Sequence, residues 1–568
     1  MEKRMILAIV LSIAVLIGYQ YYFAPAPQRA PQGTAQPGAA GGGAKDNATP
    51  AKPATPAAAP AVGAAPPVSP LPAARAMGPG RENPVRWIVV KTPRYTATVS
   101  TEGGGIESFL LADYKDVPGP AGRPLDIIGA RAARPLPLSL DLSESQPAFP
   151  ASPVYASDAP ATIDVAAGEK RSVVLSWASA GGVAISREYV FTGGRYDFEV
   201  RAQVTNGSKA PLKWRPGLDL SQVFEPDYGG DSYSFKGVVV EAGKKIERHD
   251  LKAIAKGKVG REPVRWAAAD AKYFSLIVIP EKEWTLQSVG LLGEDGVRLT
   301  VSGAPAIVAP GESVRIAAKA FMGPKEYNLL EKTGDNLEQL VDYGWFSFLA
   351  KPLVWFMEVT NRVTHNYGID IIILTILIKI LFYPLTQRSL ASMKKMQELG
   401  PIMAKLKEKY KDDRNRLNQE TMNLYKTYNI NPLSGCLPMV LQIPVFIALY
   451  KGLLVAIELR HAPFFLWIHD LSAPEHLWNV ELLGYTIPIR ILPLLMGISM
   501  FVQQKMTPSG GMEPAQQKVM LLLPVLFTFM FWGFPTGLVI YWLVNNVLQI
   551  GQQLIHQRQA EAAKAAKP

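Results

Sequence analysis

Hydrophobic residues are unevenly spread along the 568-residue chain: they crowd at its beginning and after about residue 345, with a long alternating stretch between. The first run extends from Met5 to Ile17 behind Lys3 and Arg4, and continues through Gly18, Tyr19, Gln20, Tyr21, Tyr22 and Phe23. The tyrosines bring it toward the length that crosses ~30 Å of hydrocarbon, and they suit an interfacial aromatic belt. Ala24-Pro25-Ala26 imitates a cleavage motif, but Pro27 follows directly and obstructs it, so the pattern predicts a retained signal anchor over 1–23. Lys3 and Arg4 orient its N-terminus toward the cytoplasm. Residues 24–83 are dominated by Ala, Pro and Gly. Such a stretch has too little side chain to bury against the entropy of ordering it, which predicts a flexible linker.

Over 84–325 the pattern changes to short alternating segments separated by Gly, Pro and Asp. Examples are Tyr95–Ser100, Leu136–Leu140, Ser172–Trp177 and Phe198–Val204. Period-two alternation predicts antiparallel strands with one buried face, and their number suggests a large β-sandwich on the periplasmic side of the first span. Acidic groups such as Glu225, Asp227 and Asp231 read as turn chemistry rather than metal ligands. Residues 326–365 form a connector followed by an amphipathic segment, in which Trp345, Leu349, Leu353, Phe356 and Val363 recur at helical spacing among Lys351, Glu358, Asn361 and Arg362. That composition predicts a helix lying in the membrane interface, with Pro352 either kinking it or marking its start.

The apolar runs beyond it are long enough to span: 366–386, then 433–457, 486–504, 516–532 and 534–555 within a 433–557 block, ahead of a short tail over 558–568. With the anchor they make six predicted spans, so both termini share one side. The loop at 387–432 carries Arg388, Lys394, Lys395, Lys405, Lys407, Lys409, Lys411, Arg414, Arg416 and Lys426, whereas 459–485 offers Arg460 against Asp470, Glu475 and Glu481. The positive-inside rule puts the first in the cytoplasm and the second in the periplasm, in agreement with Lys3 and Arg4. This also accounts for the formal net charge of +11, which alone would equally suit nucleic acid, a membrane surface or an acidic partner. The single cysteine, Cys436, rules out an intramolecular disulfide and reads as a packed apolar residue rather than a lipid-modified one.

Within the basic loop, Met393, Met396, Leu399, Met403, Leu406 and Tyr410 give one apolar stripe, and Leu417, Thr421, Leu424 and Tyr428 another, around the polar turn Lys411-Asp412-Asp413. Two amphipathic helices back to back make a helical hairpin. It is either a solvated connector with lysines near anionic lipid or a docking arm whose methionines tolerate varied partners. Lys379 interrupts the run Ile371–Phe382. It either snorkels to the interface or faces a polar cavity, because a membrane-buried charge is costly without water or partners. Candidate partners are Thr375, one turn earlier, Gln442 in another run, and Tyr541, Asn545, Gln549 and Gln552 along one face of the last. These polar residues serve either ordinary interhelical hydrogen bonding or a wet cationic groove. Paired intramembrane carboxylates, a His relay, a nucleophile–base pair and a phosphate-binding glycine loop are all missing from the spans. That pattern argues against a proton-coupled transporter, an intramembrane enzyme or a nucleotide-driven machine, and no metal or cofactor is expected.

Phe382-Tyr383-Pro384-Leu385-Thr386, Asn431-Pro432-Leu433-Ser434-Gly435-Cys436-Leu437-Pro438, Gln442-Ile443-Pro444-Val445-Phe446, Ala462-Pro463-Phe464-Phe465-Leu466-Trp467-Ile468-His469-Asp470-Leu471 and Phe534-Pro535-Thr536-Gly537-Leu538 resemble, in family order, the YidC insertases. The large β domain and six-span plan resemble the Gram-negative form. The resemblance implies an α-helical bundle with a five-helix core enclosing a hydrophilic groove, a periplasmic β-supersandwich, and no catalysis. It implies insertion and folding of newly made inner-membrane proteins, alone or with the Sec translocon, with the ribosome, signal recognition particle components and membrane lipids as further partners and no specific nucleic acid. Lys379, Gln442, Asn545 and Thr375 then match the groove, with Lys379 where most members carry arginine. Ile443, Phe446, Tyr541 and Trp542 match the substrate-contacting apolar face, and Met393, Met396, Leu399, Met403, Tyr410 and Leu424 belong to a cytoplasmic docking hairpin. Rival readings are a polytopic channel or transporter and, by fold analogy in the β domain alone, a cell-envelope carbohydrate protein.

Overall fold

A computed structural model describes residues 83–129, 134–224, 234–243, 245–428, 437–482, 485–506 and 514–565. The expected anchor, linker, Cys436 and the acidic turn at Glu225, Asp227 and Asp231 lie outside the described residues. The first half is strand-rich and the C-terminal part helical.

The strand-rich half is built on an eight-stranded antiparallel sheet that runs, edge to edge, through Lys245–Asp250, Gly237–Ala242, Trp266–Asp270, Phe274–Pro280, Ser313–Pro324, Asp197–Asn206, Val183–Thr192 and Lys170–Ala178. Trp266–Asp270 and Phe274–Pro280 are buried along their whole length, so these central strands read as continuous apolar runs. Asp197–Asn206, by contrast, buries every second residue. A four-stranded sheet (Gly217–Val223, Gly296–Ser302, Trp284–Leu292, Glu262–Val264) packs on the central strands. A five-stranded sheet containing Tyr95–Ser100 and Ile106–Lys115 packs on the other half of the large sheet, where Tyr95 stacks on Phe109 at 4.2 Å and Phe109 meets Phe198 at 6.3 Å. Leu136–Leu140 is not a strand, against expectation. Pro135 and Pro137 remove backbone donors, Leu138 sits at φ 64°, and only Leu140 bridges to Leu218.

That irregular segment is held by Arg187, which is fully buried. Its guanidinium donates to Gly103 O (3.1 Å), Leu138 O (2.5 Å) and the Tyr189 hydroxyl (2.7 Å), and Tyr189 in turn donates to Gly104 O (2.6 Å). A Cβ on Gly104, at φ +66°, would stand 2.6 Å from the guanidinium. One arginine thus satisfies carbonyls from two loops that lack ladder partners.

The connection to the helical half is polar. Lys325 donates to Asp270 (2.9 Å) and Ala271 O (2.8 Å), and Tyr114 donates to Glu326 (2.5 Å). Helix α2 (Tyr327–Thr333; the short α1 is Leu251–Ala255) leads to α3 (Ser347–Thr364), and Asn328 donates to Glu358 on α3 at 3.1 Å. In α3, Ala350, Val354 and Met357 are buried, Leu349, Leu353 and Phe356 pack against the core, and Phe348, Trp355 and Val363 point outward, as does Trp345 just ahead of the helix. The apolar stripe read from the sequence is therefore divided between two faces, because α3 packs on neighbouring helices as well as presenting an outer apolar edge. Pro352 lies inside the helix.

His365, at φ 50°, ends α3, and Asn366 caps α4 (Tyr367–Glu398) by accepting from Gly368 N (2.9 Å) and Ile369 N (3.2 Å). The helix runs on past residue 386 and supplies the base of the hairpin, which α5 (Gly400–Lys409) and α6 (Arg414–Thr427) complete. Then follow α7 (Leu437–Val455), a two-stranded hairpin (Asn479–Leu482 with Tyr485–Pro488), α8 (Ile491–Met506), α9 (Pro514–Phe531) and α10 (Thr536–Ala565). Among the described residues, α4 alone meets both the length and hydropathy expected of a membrane span, and 440–455, 491–506 and 520–531 are shorter apolar helices. Gly497 allows α8 and α9 to touch: a Cβ there would meet the Thr528 hydroxyl at 2.0 Å.

Two outcomes follow from this packing. Arg187→Lys loses the planar fork and strands loop carbonyls, so it should lower the stability of the β domain by about 2 kcal/mol or more, read from the unfolding midpoint of the intact protein. At the junction, Glu458, partly buried just past α7, has its carboxyl raised from the ordinary 4.5 to about 7 by burial first, with the charges of Glu358 and Glu326 adding. The folded state therefore holds this proton more tightly than the unfolded one. Its contribution to stability is full below about pH 4.5, declines as pH rises toward 7 and is level above. Glu458→Gln should flatten that decline in a series of melting temperatures.

Candidate functional site

Helices α4, α7 and α10 converge on a seam of polar side chains inside an otherwise apolar assembly. The physical reason lies in how α4 is decorated. Ile376 (41% exposed), Leu377, Ile380 (66%) and Leu381 are turned outward, while Thr375 and Lys379, one turn apart, are turned inward and buried. This inverts the usual soluble pattern and is what lipid surroundings require.

Lys379 Nζ donates to Gln549 Oε1 on α10 at 2.7 Å, so the lysine reaches inward across the helix interface rather than snorkelling outward. One helical turn before Gln549, Asn545 is buried, and next to it Asn546 donates to Ser499 of α8 at 3.0 Å. From α7, Gln442 Nε2 lies 3.4 Å from the Tyr541 hydroxyl, a long hydrogen bond. The Thr375 hydroxyl donates to Ile371 O at 2.6 Å and is thus satisfied within its own helix. Against the seam stands an aromatic cluster: Phe446 meets Trp542 edge-on at 4.8 Å and Phe531 at 6.2 Å, and Trp542 lies 5.1 Å from Phe531.

Of the residues expected at a groove, Lys379 and Gln442 bond directly to α10, and Asn545 and Thr375 are buried beside them. Of the expected apolar face, Ile443, Phe446 and Trp542 are partly buried, whereas Tyr541 has no exposed surface. Thr375 and Tyr541 are therefore part of the packed seam in this conformation. Gln549, the direct partner of the lysine, shares the helical face of Tyr541 and Asn545; spacing on α10 identifies it, but only folding pairs it with Lys379.

One end of the helical assembly is closed by the segment after α7. Gly537 N donates to Leu471 O (2.9 Å) and Thr536 N to Ala473 O (2.8 Å), so two motifs far apart in the chain are tied together at the start of α10. Trp467 Nε1 donates to Glu475 (2.5 Å), and Leu492 N donates to the same carboxylate (2.7 Å), binding this cap to α8. Asp370, fully buried in the first turn of α4, accepts from Asn361 (2.8 Å) and Thr364 (2.7 Å) of α3. Sequence reasoning passed over it, although an acidic residue in a first helical turn is a recognisable signal.

In the hairpin, Leu399 and Met403 are buried, and the Thr421 hydroxyl of α6 lies 3.7 Å from Met403 Sδ. Met393, Met396, Tyr410 and Leu424 are partly buried. Of the stripe that sequence reading offered as a docking surface, Leu399 and Met403 are thus buried, and the other four residues keep part of their surface open. The outward apolar residues are Ile402, Met422 and Tyr428. The site contains a cation, amides and hydroxyls, and it can attract carboxylates and satisfy backbone carbonyls.

Two family models match: the YidC periplasmic domain over residues 87–356 and the 60Kd inner membrane protein over 359–564. The curated Membrane protein insertase YidC of Syntrophus aciditrophicus (strain SB) is 40% identical over 580 residues, covering 99% of this chain and all of that protein. Its namesake from Geotalea daltonii (strain DSM 22248 / JCM 15807 / FRC-32) is 41% identical over 557 residues, covering 97% of this chain and 98% of its own. The solved structure of an active YidC insertase with its first transmembrane domain resolved aligns over 82% of this chain and 93% of its own, at 18% identity and a TM-score of 0.35. With both halves matched and whole-length relatives about 40% identical, the chain belongs to the YidC family of membrane protein insertases.

Proposed function

We propose that this chain, as a membrane protein insertase, receives the hydrophilic part of an incoming inner-membrane protein at the seam around Lys379, while the apolar segment moves along the adjoining face of α4, α7 and α10. The observation that carries this reading is the inward Lys379–Gln549 hydrogen bond within an outwardly apolar helix. A cation with exchangeable amide and hydroxyl neighbours lowers the desolvation cost of bringing a short polar segment partway across the bilayer. Partition of the neighbouring apolar segment into lipid supplies the favourable term. Lysine keeps the charge but lacks the bidentate fork, which suits a general electrostatic attraction rather than one fixed pairing.

The same reading places the protein in the inner membrane with six spans, both termini in the cytoplasm and the β domain in the periplasm. The positive-inside asymmetry between the basic hairpin and the loop after α7 supports it. The hairpin α5–α6 then lies where ribosomes, signal recognition particle components or the Sec translocon deliver clients. Ile402, Met422 and Tyr428, among its lysines, form the surface open to them.

Lys379→Leu should reduce insertion of a client with an acidic translocated segment by about tenfold, on the scale of one lost charge-assisted hydrogen bond, while Lys379→Arg retains it. Protease protection of the client in proteoliposomes reads both, and equal insertion by all three proteins would end the electrostatic account. Deleting 400–428 and joining the ends with a short glycine linker should abolish insertion while the accessibility of tagged loops, and hence topology, stays unchanged.

A further inference from the structure

On the β domain, far in sequence from the helical seam, Glu247, His249 and Glu262 converge. Glu247 and His249 stand two residues apart on Lys245–Asp250, so their side chains leave the same face of that strand. This strand is an edge of the eight-stranded sheet and, among the described residues, pairs only with Gly237–Ala242, where His249 lies opposite Val238 and Glu247 opposite Val240. Glu262 comes from Glu262–Val264, an edge of the four-stranded sheet. The three side chains therefore meet where the borders of two different sheets approach each other.

The donor atoms are close but not bonded. His249 Nε2 lies 3.9 Å from a Glu247 oxygen and 3.9 Å from a Glu262 oxygen, and all three donor atoms fall within 4.8 Å of one another. His249 Nε2 is shielded from solvent and has no hydrogen-bond partner, an uncommon state for a buried ring nitrogen. The side chains are 44% (Glu247), 14% (His249) and 23% (Glu262) exposed, so the cluster opens to solvent on the Glu247 side. Among the described residues, neither carboxylate has a lysine or arginine partner, and Arg248 leaves the opposite face of the strand to donate to Gln339 O at 2.6 Å.

We propose that Glu247, His249 and Glu262 form a binding site for a divalent transition-metal ion, Zn2+ in the first place, which staples the edges of the two sheets. One imidazole and two carboxylates with a fourth position open to water is a donor set that Zn2+ accepts, at bonds of about 2.1 Å that set donor atoms about 3.4 Å apart. Each donor needs to move inward by only about half an ångström from its present spacing, within rotamer adjustment. The cation gives the orphaned ring nitrogen a partner and neutralises the paired acids. The ion is structural, because its three donors come from the edge strands of two sheets. Its effect is to tie down an edge strand and the short helix α1 that follows it.

The test uses the full-length protein without a histidine tag, in lipid nanodiscs and stripped with chelator. Equilibrium dialysis against ZnCl2 with metal analysis should find one tightly held Zn2+ per chain, and Co2+ in its place should show the visible absorption of a four-coordinate centre. His249→Gln and Glu262→Gln should each weaken binding by at least about 100-fold, since even outer-shell changes cost 10–100-fold. His476→Gln, at an exposed histidine elsewhere, should leave it unchanged. Zn2+ should raise the melting temperature of the wild type and of His476→Gln but not of the two ligand variants, whose circular dichroism should match the wild type. Absence of stoichiometric Zn2+, or binding untouched by the two ligand substitutions, overturns the site and leaves a plain histidine–glutamate ion pair.

Discussion

The helical half depends on one constraint: where the surroundings are apolar, every polar group must find its partner inside the protein. Lys379 meets it by reaching Gln549 across the α4–α10 interface, and Gln442 meets it through Tyr541. Thr375 meets it within its own helix. The outward faces carry Ile380, Leu381, Leu522, Leu526 and Phe529, which water would not tolerate in such number but hydrocarbon does. Polar seam and apolar exterior are thus one arrangement seen from two sides. Under the proposed function, a polar substrate segment entering the bilayer faces the same demand, and the seam is where it is met.

The closed end of the assembly gives this seam a direction. Gly537 and Thr536 bond to the carbonyls of Leu471 and Ala473, and Glu475 gathers Trp467 and the start of α8. At the other end α4 runs on to Glu398, so the base of the hairpin and Lys379 belong to one helix. The β domain joins the other side through the polar contacts of Lys325, Glu326 and Asn328, alongside buried apolar residues such as Leu330, Leu337 and Leu340 that continue its core toward the helices. Within its large core, Arg187 locks loops at one region and the Glu247–His249–Glu262 cluster stands at another.

Much of this was legible in the chain. Alternation announced the strands of the β domain, and Asp197–Asn206 buries every second residue as its pattern requires. The apolar runs located α4, α7, α8, α9 and α10, and the polar interruptions at Lys379, Gln442 and Asn545 identified the seam, because an isolated polar residue in an apolar run has few inexpensive fates. Where prolines broke the ladder, alternation misled: Leu136–Leu140 alternates but is not a strand. The stripes on α3 and in the hairpin were also real, yet periodicity does not say which partner covers a stripe.

The sequence by itself determined the order of the parts, the positions of the apolar helices and the short set of polar residues that interrupt them, since each follows from local composition and spacing. Only the tertiary structure decided which of those residues touch. It chose Gln549 for Lys379, turned Leu399 and Met403 into a seam and brought Glu262 to His249 across two sheet edges. Those pairings join residues on separate helices and strands, and a pattern read along one element carries no information about the distance between two.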